Sequence, residues 1–154
     1  AFIKLPVAPE QSLVQFAEKT ALALYQYNYK NYRQAWSQLS QAFTPKAWDR
    51  YIKTLESPTY LKSLQTHSIH ITATRNGNVH WKPVESEHVW LIELPVKVVF
   101  DTNYRLIKQS LLMTLMVHSA KDNFKVKSLN IALAKPNEVL LKHGFVLPSC
   151  RLRH

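Results

Sequence analysis

The side chains able to do chemistry in this chain are seven histidines, ten carboxylates and one cysteine, and their spacing sets up no reaction centre. His67 and His70 stand three apart in a stretch that alternates like a strand, which sends them to opposite faces. His80 and His88 flank a polar segment, and His118 ends an apolar one. No HExxH, CxxC or facial triad is present, so no residue is assigned as a metal ligand. Acid–base catalysis can use an acidic side chain or a tyrosine shielded from water. Glu93 is the best candidate, yet it shares its strand face with Pro95 and Lys97, which reads as the solvent side. Asp101 and Asp122 fall in predicted turns, and Asp49 sits on a polar helix face beside Lys53. A nucleophile elbow, a phosphate-cradling glycine loop and paired carboxylates are all missing. No catalytic, cofactor-binding or metal site is therefore assigned, and a non-enzymatic role leads.

Charge suggests a different kind of partner. Twenty Lys and Arg against ten Asp and Glu give a net charge of +10. Residues 104–154 hold nine basic and two acidic side chains (+7), and residues 1–103 hold eleven and eight (+3). A basic surface suits nucleic acid, anionic lipid or an acidic protein. Nucleic-acid contact would pair cations with stacking rings, and Lys30, Tyr32 and Arg33, or Lys125 and Lys127 beside Phe124, fit that loosely. Tyr32 also begins an apolar helical stripe, and Lys125 and Lys127 fit the outward face of a strand, so nucleic acid stays behind a protein partner.

The elements that must position these residues fall into two blocks. Leu13, Phe16, Ala17, Ala21 and Leu24 mark a first helix from Glu10 to about Tyr27, with a break at Asn28 and Asn31. Tyr32, Ala35, Trp36, Leu39 and Phe43 line one face of a second helix. Thr44-Pro45 and Ser57-Pro58 each supply a cap hydroxyl followed by the residue suited to the first helical position. They open a third helix, apolar at Ala47, Trp48, Tyr51, Ile52 and Leu55, and a short fourth with Tyr60, Leu61 and Leu64.

From Ile69 the period falls to 2. Ile69, Ile71 and Ala73 form one strand face, and Asn76-Gly77 makes a turn. Residues 78–88 are polar and irregular, a loop or weak edge. Trp90, Ile92, Leu94, Val96, Val98 and Phe100 make a long strand, in which Pro95 argues for an edge or a bulge. Tyr104 to about Ser119 is apolar on both faces, and Phe124 to about Ala134 changes phase as one bulge would cause. Pro136-Asn137 and Gly144 bracket a predicted helical turn, EVLLKH, before a basic tail, CRLRH.

Helices followed by antiparallel strands predict an α+β domain, with helices on a curved four-stranded sheet in a cone of the ketosteroid isomerase-like kind. The expected divisions are an extended lead-in at 1–9, one domain over 10–135 and a basic tail at 136–154. If Leu111, Met113, Leu115 and Val117 pack on the helices, then Leu112, Thr114, Met116 and His118 face outward and form a candidate interface, unless the fourth helix or the C-terminal turn covers them. Cys150, the single cysteine, permits no internal disulfide. No run of 18 apolar residues is present.

The run from Tyr27 to Trp48 also resembles the start of the periplasmic domain in the DotI/IcmL/TraM family. The shared pattern is Tyr27-Asn28-Tyr29, then Tyr32-Arg33-Gln34, then Phe43-Thr44-Pro45 and Trp48. The strand region, with VVFDT followed by QSLLMTLMV, is similar in order and length, so the likeness covers about residues 13–134. It implies a non-enzymatic assembly component of a type IVB secretion or plasmid-conjugation machine, similar in fold to the VirB-type inner-membrane scaffold. Such a protein has one inner-membrane helix and places this domain in the bacterial periplasm. It self-associates, docks with other inner-membrane components and needs no cofactor. The start at Ala1 without an initiator methionine, and the lead-in with two prolines, suit a segment cut just after that anchor. The basic C-terminal third is not part of the family pattern. A small-molecule enzyme or binder on the same cone, and a nucleic-acid contact during transfer, are the alternatives.

Overall fold

Helix α1 (Pro9–Ala23) presents Leu13, Ala17 and Ala21 every fourth residue, and all three are buried. A computed structural model of the chain describes residues 9–84, 86–120 and 123–142. Most of the predicted lead-in, Asp122, Cys150 and the CRLRH tail lie outside the described residues. α1 ends at Ala23, earlier than the period implied, because the chain is needed in the sheet: Tyr27–Asn28 forms strand β1. The predicted break lies just beyond it. The Asn31 side chain accepts from the Asn28 amide at 2.8 Å, and the Asn28 side chain accepts from Lys30 and Asn31 amides at 2.8 and 3.0 Å. Such local bonds compete with helical ones and turn the chain.

α2 (Tyr32–Leu39) runs into a 3-10 turn at Ser40–Ala42 and buries Tyr32, Trp36 and Leu39. α3 (Pro45–Leu55) and α4 (Pro58–Thr66) begin where the caps predict. Thr44 Oγ1 and Ser57 Oγ each accept a backbone amide at 3.2 Å, from Ala47 and Tyr60. Each cap contributes about 1 kcal/mol.

Among the described residues the sheet has seven antiparallel strands, not four. To β2 (His70–Arg75), β4 (Ser86–Asp101), β5 (Arg105–Ala120) and β6 (Asn123–Leu133) are added β1, β3 (His80–Val84) and β7 (Glu138–Leu141). These three are two, five and four residues long; β1 is too short to show a period, and β3 and β7 are exposed on nearly every residue, so no period of 2 announced them. The order is β1-β2-β4-β5-β6, with β3 beside β4 and β7 beside β5. β4 and β5 pair over their length, from Val89↔His118 to Asp101↔Leu106. Their inner faces, Ile92, Leu94, Val96 and Val98 with Leu111, Met113, Leu115 and Val117, meet the helices in one core.

Pro95 sits in a central strand, against expectation. Its neighbour on one side changes there: β2 pairs up to Val96 and β3 begins at Glu93. The missing proline donor faces that junction, where the Pro95 carbonyl accepts from Asn76 at 2.9 Å. Gly77 fits the same spot, with φ +146°, and a Cβ on it would stand 2.7 Å from Pro95 Cγ.

The expected bulge in β6 is present. Met116 pairs with Ser128 and Val117 with Val126, so Lys127 is the extra residue. The predicted C-terminal helical turn is instead β7, paired with Arg105–Lys108. Lys142 ties it down by its amide to Tyr104 O (3.0 Å), and by its ammonium to Thr102 O (2.7 Å) and the Asp101 carboxylate. Main-chain pairing beside an open stretch of β5 outweighs a helix of one turn with no face to bury.

Candidate functional site

The sequence-level candidates are dispersed by the fold. His67 closes α4 and does not lie on a strand, whereas His70 is on β2. Their rings face Tyr104 and Tyr29 respectively. Among the described residues no three His, Cys, Asp or Glu side chains gather as a metal site would require. Glu93 is exposed, Asp49 pairs with Lys53 at 3.2 Å, and Asp101 meets Lys142. The cation–aromatic sets form no stacking platform. Tyr32 is buried under Arg33, Phe124 packs on Phe16 at 5.4 Å, and Lys125 reaches the Gln41 carbonyl.

Leu112, Thr114, Met116 and His118 lie on the outer face, as the alternation requires, and each is half-buried. Leu91 and Pro95 of β4, with Ser128 and Ala132 of β6, flank Leu112 and Met116 on that face. α4 turns Leu64 into the core on the other side, and β7 runs beside Arg105–Lys108, so neither covers them.

A more exposed apolar stretch lies elsewhere. Leu133, Val139, Leu140 and Leu141 are 38–56% exposed and follow one another along the free edge of the sheet, at the end of β6 and in β7. Reading 138–143 as a helical turn scattered Val139, Leu140 and Leu141 around an axis and hid the edge. A run of exposed large apolar residues just after the last strong strand was the available signal.

Beside the same edge, between α3 and β6, opens a cleft of about 520 Å³. Lys46, Arg50 and Tyr51 of α3 face Lys127, Leu129 and Ile131 of β6 across it. Its inner end meets a group of phenols. The Tyr27 and Tyr60 hydroxyls bond to each other, and the Tyr51 hydroxyl is buried with no hydrogen-bond partner among the described residues. Burial, reinforced by Tyr60, pushes the Tyr25 phenol up to about 12, and burial raises Tyr27, Tyr51 and Tyr60 as well. All four are protonated at neutral pH and can donate. Trp36 fills the core beside them, yet the cleft stays open. Among the described residues no His, Asp, Glu or Cys lines it, so the described lining offers cations and hydroxyls.

Comparisons with known proteins converge. Residues 2–136 match the DotI/IcmL family model, a type IVb secretion system inner-membrane complex component. An IcmL-like type IV secretion protein of Legionella pneumophila superposes with a TM-score of 0.75 at 23% identity, covering 84% of this chain and 96% of that one. The periplasmic domain of DotI superposes at 0.73 with 17% identity, over 84% and 99% of the two chains. The VirB8 protein of Agrobacterium tumefaciens superposes at 0.65 with 11% identity, over 86% and 98%. These likenesses bear out the cone-like α+β fold. Comparison with curated protein sequences finds no match. No described helix is long and apolar enough to cross a membrane.

Proposed function

This chain belongs to the DotI/IcmL family of type IVB secretion-system inner-membrane components, and from that premise we propose that it is a non-enzymatic assembly domain. It lies in the bacterial periplasm, held to the inner membrane by a segment outside this sequence. It works by associating with itself and docking with other inner-membrane components of a secretion or conjugation apparatus. The observation that supports this reading is the open sheet edge with Leu133, Val139, Leu140 and Leu141 exposed. Unpaired, apolar edges tend to acquire partners, and proteins that remain single blunt them. The half-buried outer face around Leu112, Thr114, Met116 and His118 is a second contact surface in the same reading.

The test places a cysteine on the edge. Leu140→Cys, with Cys150→Ser, is expressed in the full-length, membrane-anchored protein and cross-linked in intact cells. The expected result is a cross-linked dimer or a conjugate with another inner-membrane component. A protein that stays monomeric and unconjugated at every expression level would overturn the reading.

A further inference from the structure

Five consecutive residues of β6, from Lys127 to Ile131, line the α3 cleft. Side chains of a strand leave to alternate faces. A cavity reached by five in a row therefore runs along the strand's edge, not across a face. The hydrogen bonding specifies that edge. Ala134 donates to Ser110 at 2.7 Å, which makes 110 and 134 a hydrogen-bonded antiparallel pair. By alternation Ala132, Asn130 and Ser128 bond back to β5, and Leu129, Ile131 and Leu133 turn their amides and carbonyls outward. No described residue bonds to those outward groups. At its other end the edge is already used: Thr44 donates to the Val126 carbonyl at 2.9 Å, and Phe43 bridges Val126. The groove is thus closed at Val126 and open from Lys127 onward.

Charge selects the occupant. Lys46, Arg50 and Lys127 line the groove and none has an ion pair among the described residues. In this groove, where three cations gather, a second copy of a chain with 20 basic and 10 acidic residues brings more repulsion than attraction, which leaves self-association to the apolar β7 edge. A compact anion satisfies the cations but leaves the outward amides of β6 unbonded. From these observations we infer that the groove between α3 and the open edge of β6 receives an extended, acidic peptide segment of a different protein, added to the sheet as a further strand.

Main-chain bonds to Leu129, Ile131 and Leu133 hold the segment, and its acidic side chains meet Lys46, Arg50 and Lys127. The lined length, five residues at about 3.3 Å each, fits a segment of roughly 16 Å. This inference rests on the assembly reading and names the chemistry of one docking partner.

The probe is a set of seven-residue peptides alternating valine with glutamate, glutamine or lysine, titrated into the isotope-labelled chain. The glutamate peptide is expected to shift the Leu129, Ile131 and Leu133 amide signals and to lose affinity as salt rises. Arg50→Glu with Lys127→Glu, both at the surface, should weaken it about tenfold without changing the melting temperature. Methylating the peptide's alternate backbone nitrogens should abolish the shifts. Equal binding of the lysine peptide, persistence after methylation, or no edge shifts with any peptide would each overturn the inference. So would octanoate saturating the same signals as tightly as the glutamate peptide. If the peptides fail while the Leu140→Cys cross-links form, only the groove assignment falls. If the cross-links fail while the glutamate peptide binds, the fault lies in the assembly reading.

Discussion

Strand β4 and the β6–β7 edge use the same aliphatic residues in opposite settings. Ile92, Leu94, Val96 and Val98 are fully buried between two neighbouring strands and the helices, whereas Leu133, Val139, Leu140 and Leu141 stand about half exposed on a strand edge without a neighbour. Burial stabilises by about 25 cal/mol for each Å² of apolar surface removed from water. In β4 that term acts on folding. At the edge it is withheld until another chain covers it; the bulge at Lys127, with Lys135, Pro136 and Glu138, blunts the edge only in part and leaves its apolar residues uncovered. Aliphatic content alone therefore says nothing of purpose; the pairing state of the backbone separates fold from docking.

The contrast breaks most sharply in the core. Leu94→Ala or Met113→Ala should cost about 2–5 kcal/mol in urea unfolding, because both are fully buried. Gly77→Ala comes next, at about 1–3 kcal/mol, from the positive φ and the Pro95 contact together. A smaller loss near 1 kcal/mol is expected for Thr44→Ala, with the amide exchange of Ala47 accelerated. Val139→Asp, added to the Leu140→Cys, Cys150→Ser protein, should leave the stability within about 0.5 kcal/mol of that parent and yet remove the cross-linked species. A large fall in stability there would mean that the edge belongs to the fold after all.

Alkali probes the boundary between the two regions. The buried phenols titrate above the ordinary tyrosine value of 10, so the folded state holds their protons more tightly than the unfolded chain. Their contribution to stability is complete below pH 10 and is lost as pH rises toward 12. Thermal melts between pH 8 and 12, read with tyrosinate absorbance, should show the midpoint dropping only above pH 10. A midpoint flat to pH 12 would contradict the burial of this group.

Where residue type dictates geometry, the chain was legible in advance. Thr44-Pro45 and Ser57-Pro58 specify two helix starts by local bonding, and the even positions of β4 specify a core face without reference to any partner. The phase change in β6 announced its bulge. What could not be read was set by neighbours. Tyr27–Asn28 is a strand only because Ile71 and His70 lie opposite, and β7 is one only because Arg105–Lys108 was left unpaired. Pro95 is tolerated centrally because β2 gives way to β3 beside it. The outer-face residues Leu112 and Met116 were placed correctly by alternation, while the apolar edge stayed hidden behind the helical reading of 138–143. The α3 groove joins segments some eighty residues apart, and no spacing rule connects Arg50 to Lys127.

The bulge at Lys127 has a consequence for how this domain can change over generations. Paired strands such as β4 and β5 are locked in step, and one inserted or lost residue exchanges inside for outside along everything downstream. β6 already contains one surplus residue, on the side facing no strand. A second insertion beside Lys127 can be absorbed there as a wider bulge, leaving Leu129, Ile131 and Leu133 on the core face. Single-codon length variation among relatives should therefore be found at this point and be rare in the central hairpin, giving the groove a wall that lineages can reset without rebuilding the protein.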